Sequence, residues 1–264
     1  MDFFIKTDFF NPELTLIGGQ AFRWKRIEDN RYFGIAGNRM LEINCRADGF
    51  WLINITDKDL PFWLEYFNTA TDYRQMIECF SSEPVLNKAC EYAYGLRQLK
   101  QEPFETLISF ICSQRNSIPN IKGMIERLCT SFGEILDKNC FAFPTAYRLS
   151  GLSEDDLASV RVGYRAKYII DAARKVKSGE IDLNALYETP IDEARNELMK
   201  IKGVGEKVAD CVLLCAYGKV SAFPKDVWIK RAMERFYPNG LPPCTAGFEG
   251  LANQYLFEYI RKIK

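Results

Sequence analysis

The hydrophobic period of this chain changes once, and that change restricts its fold more than any other feature. Between Arg31 and Ile55 the sequence RYFGIAGNRMLEINCRADGFWLINI carries short β-prone runs. There Leu41, Ile43 and Cys45 alternate with Glu42 and Asn44, the two-residue period of a half-buried strand. Gly37-Asn38 and Ala47-Asp48-Gly49 supply turns, so a small antiparallel sheet is expected. From about Asp59 apolar residues recur three and four apart, in PFWLEYF, PFETLISFICSQ, YRAKYIIDAARKV, DVWIKRAMERFY and the runs between and after them, the pattern of amphipathic helices. Boundary residues agree: Pro119 falls in a first turn, Gly218 follows a helix and Asp226 opens one. The expected fold is α+β, with an antiparallel sheet in residues 1–90 followed by an all-helical body over 91–264. No repeat of fixed period and no linker rich in Gly, Ser or Pro interrupts it.

Composition excludes several classes of function. With 47% hydrophobic and 27% charged residues in 264, the chain can bury a substantial core. Its longest apolar runs, such as ISFIC and VLLCAY, fall well short of the ~20 residues that span a bilayer. The start, MDFFIKTDFFNPE, lacks a basic region followed by a long apolar stretch, so no signal peptide is expected, and an intracellular protein is, in the cytoplasm and nucleoid or in a nucleus. The nine cysteines are odd in number and scattered through helix-like patterns, which suits reduced thiols. No CxxC occurs, and Cys211 and Cys215 have helical spacing, so neither zinc nor an iron-sulfur cluster is expected. Histidine is absent, which removes His-based acid/base catalysis, His-containing triads and His metal ligands. Net charge is zero, but residues 1–90 hold 10 basic and 13 acidic side chains, leaving 25 and 22 in 91–264. A nucleic-acid contact would therefore be a local surface of the second part.

The stretch IKGVGEKVADC, residues 201–211, carries the chemistry. It joins the helical pattern IDEARNELMKI to the apolar run VADCVLLCAY through the spacing G-x-G-x-K. Glycines at 203 and 205 allow positive φ and close approach to a ligand. Free N–H groups at the next helix start, around Val208, make an anion site suited to a DNA phosphate. The plainer alternative is a tight turn that binds nothing. Lys207 falls at that helix start, where the first-turn N–H groups place roughly half a positive charge that disfavours an ammonium. The same field, with apolar burial, lowers a lysine's pKa, and a neutral lysine is a nucleophile able to form a Schiff base. The alternative is a solvated lysine touching a phosphate. Asp226 favours the first reading: besides capping a helix, its carboxylate can stabilise the positive charge that develops at a sugar C1′ during glycosidic cleavage.

These residues, GVGEKVADC with Asp226 of FPKDV nineteen positions after the lysine, resemble the helix-hairpin-helix/Gly-Pro-Asp superfamily of DNA base-excision glycosylases. Within it the chain looks most like an 8-oxoguanine DNA glycosylase/lyase. The likeness extends through GGQAFRW (18–24), RQLKQEPFETLISFICSQRN (97–116), GMIERLC (123–129), VGYRAKY (162–168) and GLANQYLF (250–257). It implies an N-terminal sheet similar to a TATA-binding-protein half, a helical domain carrying the hairpin, and duplex DNA containing 8-oxoguanine as partner, with no cofactor and a monomeric enzyme. It also implies base flipping, because the enzyme must reach C1′. In that scheme Lys207 attacks C1′, expels the base and forms a Schiff base, after which β-elimination nicks the strand, while Asp226 supports the cationic transition state. Cys211 would lie against the base or simply be core, Phe257 would stack on it, and the Gly19 carbonyl would accept from N7–H, which guanine lacks.

Three departures from the family's pattern bear on base choice or on contact with the backbone. Asn253 stands where the family usually has Gln, with Gln254 adjacent, so either could read the base edge. Arg115 aligns with the intercalating Asn, with Asn116 beside it, and Asn120 replaces an Arg that reads the opposite cytosine. Trp228 stands where animal members have a histidine, so a phosphate contact would be lost. Tyr164 and Arg165 match residues that wedge and contact the orphaned base. The competing readings are a superfamily glycosylase for another lesion and a non-catalytic helix-hairpin-helix DNA-binding module. The iron-sulfur branches are disfavoured by the missing cysteine cluster and the alkylation-repair branch by Lys207.

Overall fold

The computed structural model describes residues 1–263. Strands β1 (Phe3–Lys6), β2 (Trp24–Glu28), β3 (Arg31–Ala36), β4 (Arg39–Arg46) and β5 (Gly49–Ile53) form one antiparallel sheet in the order β1-β5-β4-β3-β2. The alternation read in β4 sets its inner face: Leu41, Ile43 and Cys45 are buried with Tyr32, Phe50 and Leu52. Against that face pack Trp24 and, from α1 (Leu60–Tyr66) and the residue after it, Trp63, Tyr66 and Phe67. Each such side chain contributes about 1.5–3 kcal/mol by leaving water. β1 and β2 lie outside the segment whose alternation predicts a sheet. FFIK has no alternation of its own and becomes a strand by pairing Phe3–Lys6 with Gly49–Leu52.

The helices follow in order: α2 (Tyr73–Glu78), α3 (Pro84–Tyr92), α4 (Pro103–Cys112), α5 (Ile118–Phe132), α6 (Ala146–Ser150), α7 (Ala166–Ser178), α8 (Ile191–Met199), α9 (Glu206–Cys215), α10 (Val227–Phe236) and α11 (Glu249–Lys262). α4, α5, α7, α8 and α9 enclose one core around Leu107, Ile111, Leu128, Ile169, Leu198 and Val212. α3, α10 and α11 enclose another around Leu86, Ile229, Leu251 and Tyr255. One expectation is corrected: the helical body contains a small hairpin, Ile135–Asp137 with Cys140–Phe141. Its strands are too short to show a period, and Asn139 reverses the chain at φ 61. No described helix is long and apolar enough to cross a membrane.

A polar web ties the sheet to the helices. Gln20 Nε2 donates to Arg97 O at 2.8 Å, and Gln20 Oε1 accepts from Gln98 Nε2 at 3.0 Å and Leu99 N at 2.9 Å. Gln101 Nε2 closes the set on Gln20 O at 2.8 Å. The buried guanidinium of Arg97 donates to the carbonyls of Phe9, Phe67, Asn68 and Thr71 at 2.7–3.3 Å and stacks 4.5 Å from the Tyr73 ring. Burial lowers its pKa, and those carbonyl partners satisfy its donors. The Gly18–Gly19 segment is thereby pinned to the chain that leads into α4.

Candidate active site

The loop between α8 and α9 reverses the chain at Gly203, which has φ 77. An added Cβ there would lie 2.4 Å from the Tyr168 ring, so the position requires glycine on both counts. Gly205 corrects the expectation of two positive-φ glycines: it is the extended N-cap of α9, at φ −105 and ψ −178. A single left-handed residue reverses the chain, and Gly205 takes the extended conformation typical of the residue that opens a helix. Lys207 is the second residue of α9 and half-buried. Its Nζ lies 3.5 Å from Ser113 Oγ and 5.5 Å from the centroid of the Phe110 ring, both brought by the end of α4. Val208 corrects the expectation of a free N–H at this position: its side chain is buried in the core and its N–H donates within the first turn to Gly205 O at 3.0 Å.

Asp226 is the N-cap of α10: its Oδ1 accepts from Ile229 N at 2.8 Å. That bond holds the carboxylate at the wall of a cleft of about 830 Å³ that Lys207 also lines. Gly19, Asn116, Cys211, Asn253, Gln254, Phe257 and Trp228 line the same cleft. Gly19 has φ 120, a conformation glycine adopts without strain, and an added Cβ would press on Ile118 at 2.9 Å. Burial pushes the Cys211 thiol up, and neighbouring Lys207 opposes that shift. Asn253 is buried, with Nδ2 donating to Pro224 O at 2.9 Å, while Gln254 is half-buried in the wall. Arg261 stacks 4.9 Å from the Phe257 ring, and Arg231 lies 5.0 Å from the Trp228 ring.

Arg115, Asn120, Tyr164 and Arg165 do not line this cleft, and Asn116 reaches it from the turn after α4. Arg115 and Asn120 are exposed, Arg115 in a left-handed turn at φ 48 after α4. Asn116 donates to Cys112 O at 3.1 Å and accepts from Ser117 N at 3.0 Å, which shapes the same turn. Tyr164 is 47% exposed, whereas Arg165 is buried beneath it, 4.7 Å from its ring, with Nη1 on Val162 O at 3.2 Å and Nη2 on Gln114 O. Sequence reasoning missed Ser113 and Gln114. Both lie in the SQRN stretch, within two positions of Arg115, but neither has a local signal: their partners Lys207 and Gly203 are far along the chain.

Two family models match the chain in succession. The 8-oxoguanine DNA glycosylase N-terminal domain covers residues 3–107, and the HhH-GPD superfamily base excision DNA repair protein covers residues 108–241. An N-glycosylase/DNA lyase of Saccharomyces cerevisiae is 40% identical over 158 residues, 54% of this chain and 42% of its own length, so the chain spans less than half of that relative. Two solved structures match over nearly their whole length. One is MBOgg1 in complex with a low-affinity DNA ligand, 40% identical with a TM-score of 0.92, covering 99% of this chain and 96% of that one. The other is the 8-oxoguanine glycosylase/lyase of Clostridium acetobutylicum in complex with duplex DNA containing cytosine opposite 8-oxoguanine. It is 32% identical with a TM-score of 0.91, covering 100% and 98%.

Proposed function

The chain belongs to the helix-hairpin-helix/Gly-Pro-Asp base excision DNA repair superfamily, and from that premise we propose that it is a bifunctional glycosylase/lyase that removes 8-oxoguanine from duplex DNA. The observation that carries this reading is the convergence of Lys207 and Asp226 on one cleft with Gly19, Cys211, Asn253 and Phe257. Unprotonated Lys207 Nζ attacks C1′ of the flipped nucleotide, and the bond to the base breaks with its electron pair leaving on the base. The sugar ring opens to a Schiff base on Lys207, and loss of a C2′ proton expels the 3′ phosphate by β-elimination. Asp226, kept in place by its capping bond, stabilises the positive charge at C1′. The scheme uses no cofactor.

The Gly19 carbonyl accepts from N7–H of the lesion and repels the N7 lone pair of guanine, which makes discrimination a matter of one reversed hydrogen bond. Asn253 or Gln254 meets the Watson-Crick edge, and Phe257 stacks on the ring. Gly203, Gly205 and the start of α9 grip the phosphates, while Arg115, Asn116 and Asn120 face the opposite strand with Tyr164 as wedge and Arg165 supporting it from beneath. In this division residues 1–90 supply the Gly19 segment and residues 91–264 supply the hairpin and both catalytic groups. The protein acts as a monomer in the intracellular compartment that holds DNA.

Borohydride trapping on an 8-oxoguanine duplex tests the reading. A covalent protein–DNA adduct is expected with the wild type and none with Lys207→Gln. DNA binding without adduct or base release would leave a non-catalytic hairpin module, and an adduct that persists in Lys207→Gln would remove Lys207 from its role.

A further inference from the structure

One side chain joins the turn after α4 to the loop before α9. Gln114 Nε2 donates to Gly203 O at 3.0 Å. Its own backbone carbonyl accepts from Arg165 Nη2 and from Tyr164 Oη, the latter at 3.4 Å. Gln114 thus holds together the hairpin, the turn that carries Arg115 and Asn116, and the loop that carries Tyr164 and Arg165. On its other side Ser113, the preceding residue, reaches Lys207.

The carbonyl of Gln114 and the N–H of Arg115 belong to one peptide plane, so fixing the carbonyl orients the peptide on which Arg115 turns. Arg115 has φ 48, a left-handed conformation that a non-glycine residue adopts at a cost and keeps only where its surroundings determine it. Arg165 provides those surroundings: it is buried, its Nη1 is held by Val162 O, and its Nη2 is directed to Gln114 O. The hairpin has independent supports. Lys202 N donates to Asp171 Oδ2 at 2.8 Å, Val204 N to Ile201 O at 3.0 Å, and Gly203 packs on Tyr168. Loss of the Gln114 amide therefore leaves the hairpin folded and removes the direct bond between it and the Arg115 turn.

We propose that Gln114 is a positioning residue that locks the Arg115 turn to the phosphate-gripping hairpin, so that binding the backbone and inserting the turn into the base stack occur together. This role rests on the glycosylase reading above. Its physical basis is preorganisation: two contacts made by one rigid unit cost less entropy than two made separately, and the geometry of the flipped state is set before DNA arrives.

The test uses Gln114→Met, which keeps the length of the side chain and removes the donor without adding charge. Single-turnover base release from an 8-oxoguanine duplex is expected to slow by between about tenfold and the roughly hundredfold that a misplacement of about 1 Å costs. Nicking of a preformed abasic site, whose flipping needs no base to be unstacked, is expected to proceed at the wild-type rate, with unchanged Tm and unchanged affinity for undamaged duplex. Unchanged base release in Gln114→Met overturns the proposal, and so does an equal loss of both reactions together with Tm, which would mark a merely structural residue. A wild-type protein that neither releases the base nor nicks overturns the glycosylase reading and this role with it. If wild-type activity is intact and the variant behaves normally, only the role of Gln114 falls.

Discussion

Asp226 caps α10 with a carboxylate that also lines the cleft, and its proposed part in the chemistry can be separated from the cap by substitution. Its Oδ1 caps α10 through Ile229 N at 2.8 Å, and the same group lines the cleft with Lys207. Asn is as good an N-cap as Asp but carries no charge. Asp226→Asn is therefore expected to keep its Tm and lose most base release in single-turnover assays. Asp226→Ala should lose the cap as well, lowering stability by about 1 kcal/mol in a denaturant titration. If Asp226→Asn released the base at the wild-type rate, the carboxylate would have no part in the chemistry.

At the scale of an element, the two hairpin glycines answer to different constraints. Gly203 is left-handed and faces the Tyr168 ring at 2.4 Å from where a Cβ would stand, whereas Gly205 is extended and an added Cβ meets nothing within 4 Å. Gly203→Ala is expected to destabilise the protein by at least about 1–2 kcal/mol, from the left-handed conformation alone, and to weaken DNA binding with it. Gly205→Ala should leave Tm nearly unchanged and weaken only the affinity for duplex, because the open space beside it is where the proposed reading puts a phosphate. Thermal unfolding and a fluorescence-anisotropy titration on the two variants distinguish these outcomes. Equal affinity of Gly205→Ala and wild type would place the phosphate elsewhere.

At the scale of the whole molecule, the junction between sheet and helices contains a carboxyl that titrates near neutrality. Glu105, only 16% of its side chain exposed, pairs with Arg23 at 3.4 Å, and Arg23 also donates to Phe141 O in the small hairpin. Burial raises the Glu105 pKa from 4.5 to about 7, an effect that Arg23 partly offsets. An acid whose pKa is higher in the folded than in the unfolded state stabilises most when protonated. Its contribution is full below about 4.5 and is lost as pH rises through about 7. Over that window the loss is about 3 kcal/mol at most. Scanning calorimetry should find Tm falling between pH 5 and 8, and Glu105→Gln should flatten that slope. A wild-type slope that persists in Glu105→Gln would assign it to another group.

Much of this was legible in the chain because it is local. The change of period near Asp59, the G-x-G-x-K loop, the cap at Asp226 and the first-turn Pro119 each depend on neighbours within a few residues, and those neighbours are written beside them. The short hairpin at 135–141 and strand β1 were not legible, since three or four residues carry no period and take their form from a partner strand. The second positive φ expected at Gly205 failed because a spacing cannot tell which glycine turns the chain and which starts the helix. The sequence alone therefore determined the antiparallel sheet followed by helices, the type of each long helix and the residue types on which the proposed chemistry rests. Only the tertiary structure decided that Gly19, Lys207, Asp226, Asn253 and Phe257 meet in one cleft, that Arg165 is turned inward and that Gln114 bridges turn and hairpin. Those are contacts between residues far apart in the chain, made by the packing of α4, α9, α10 and α11 and by the Gln20–Arg97 web, and no local pattern records them.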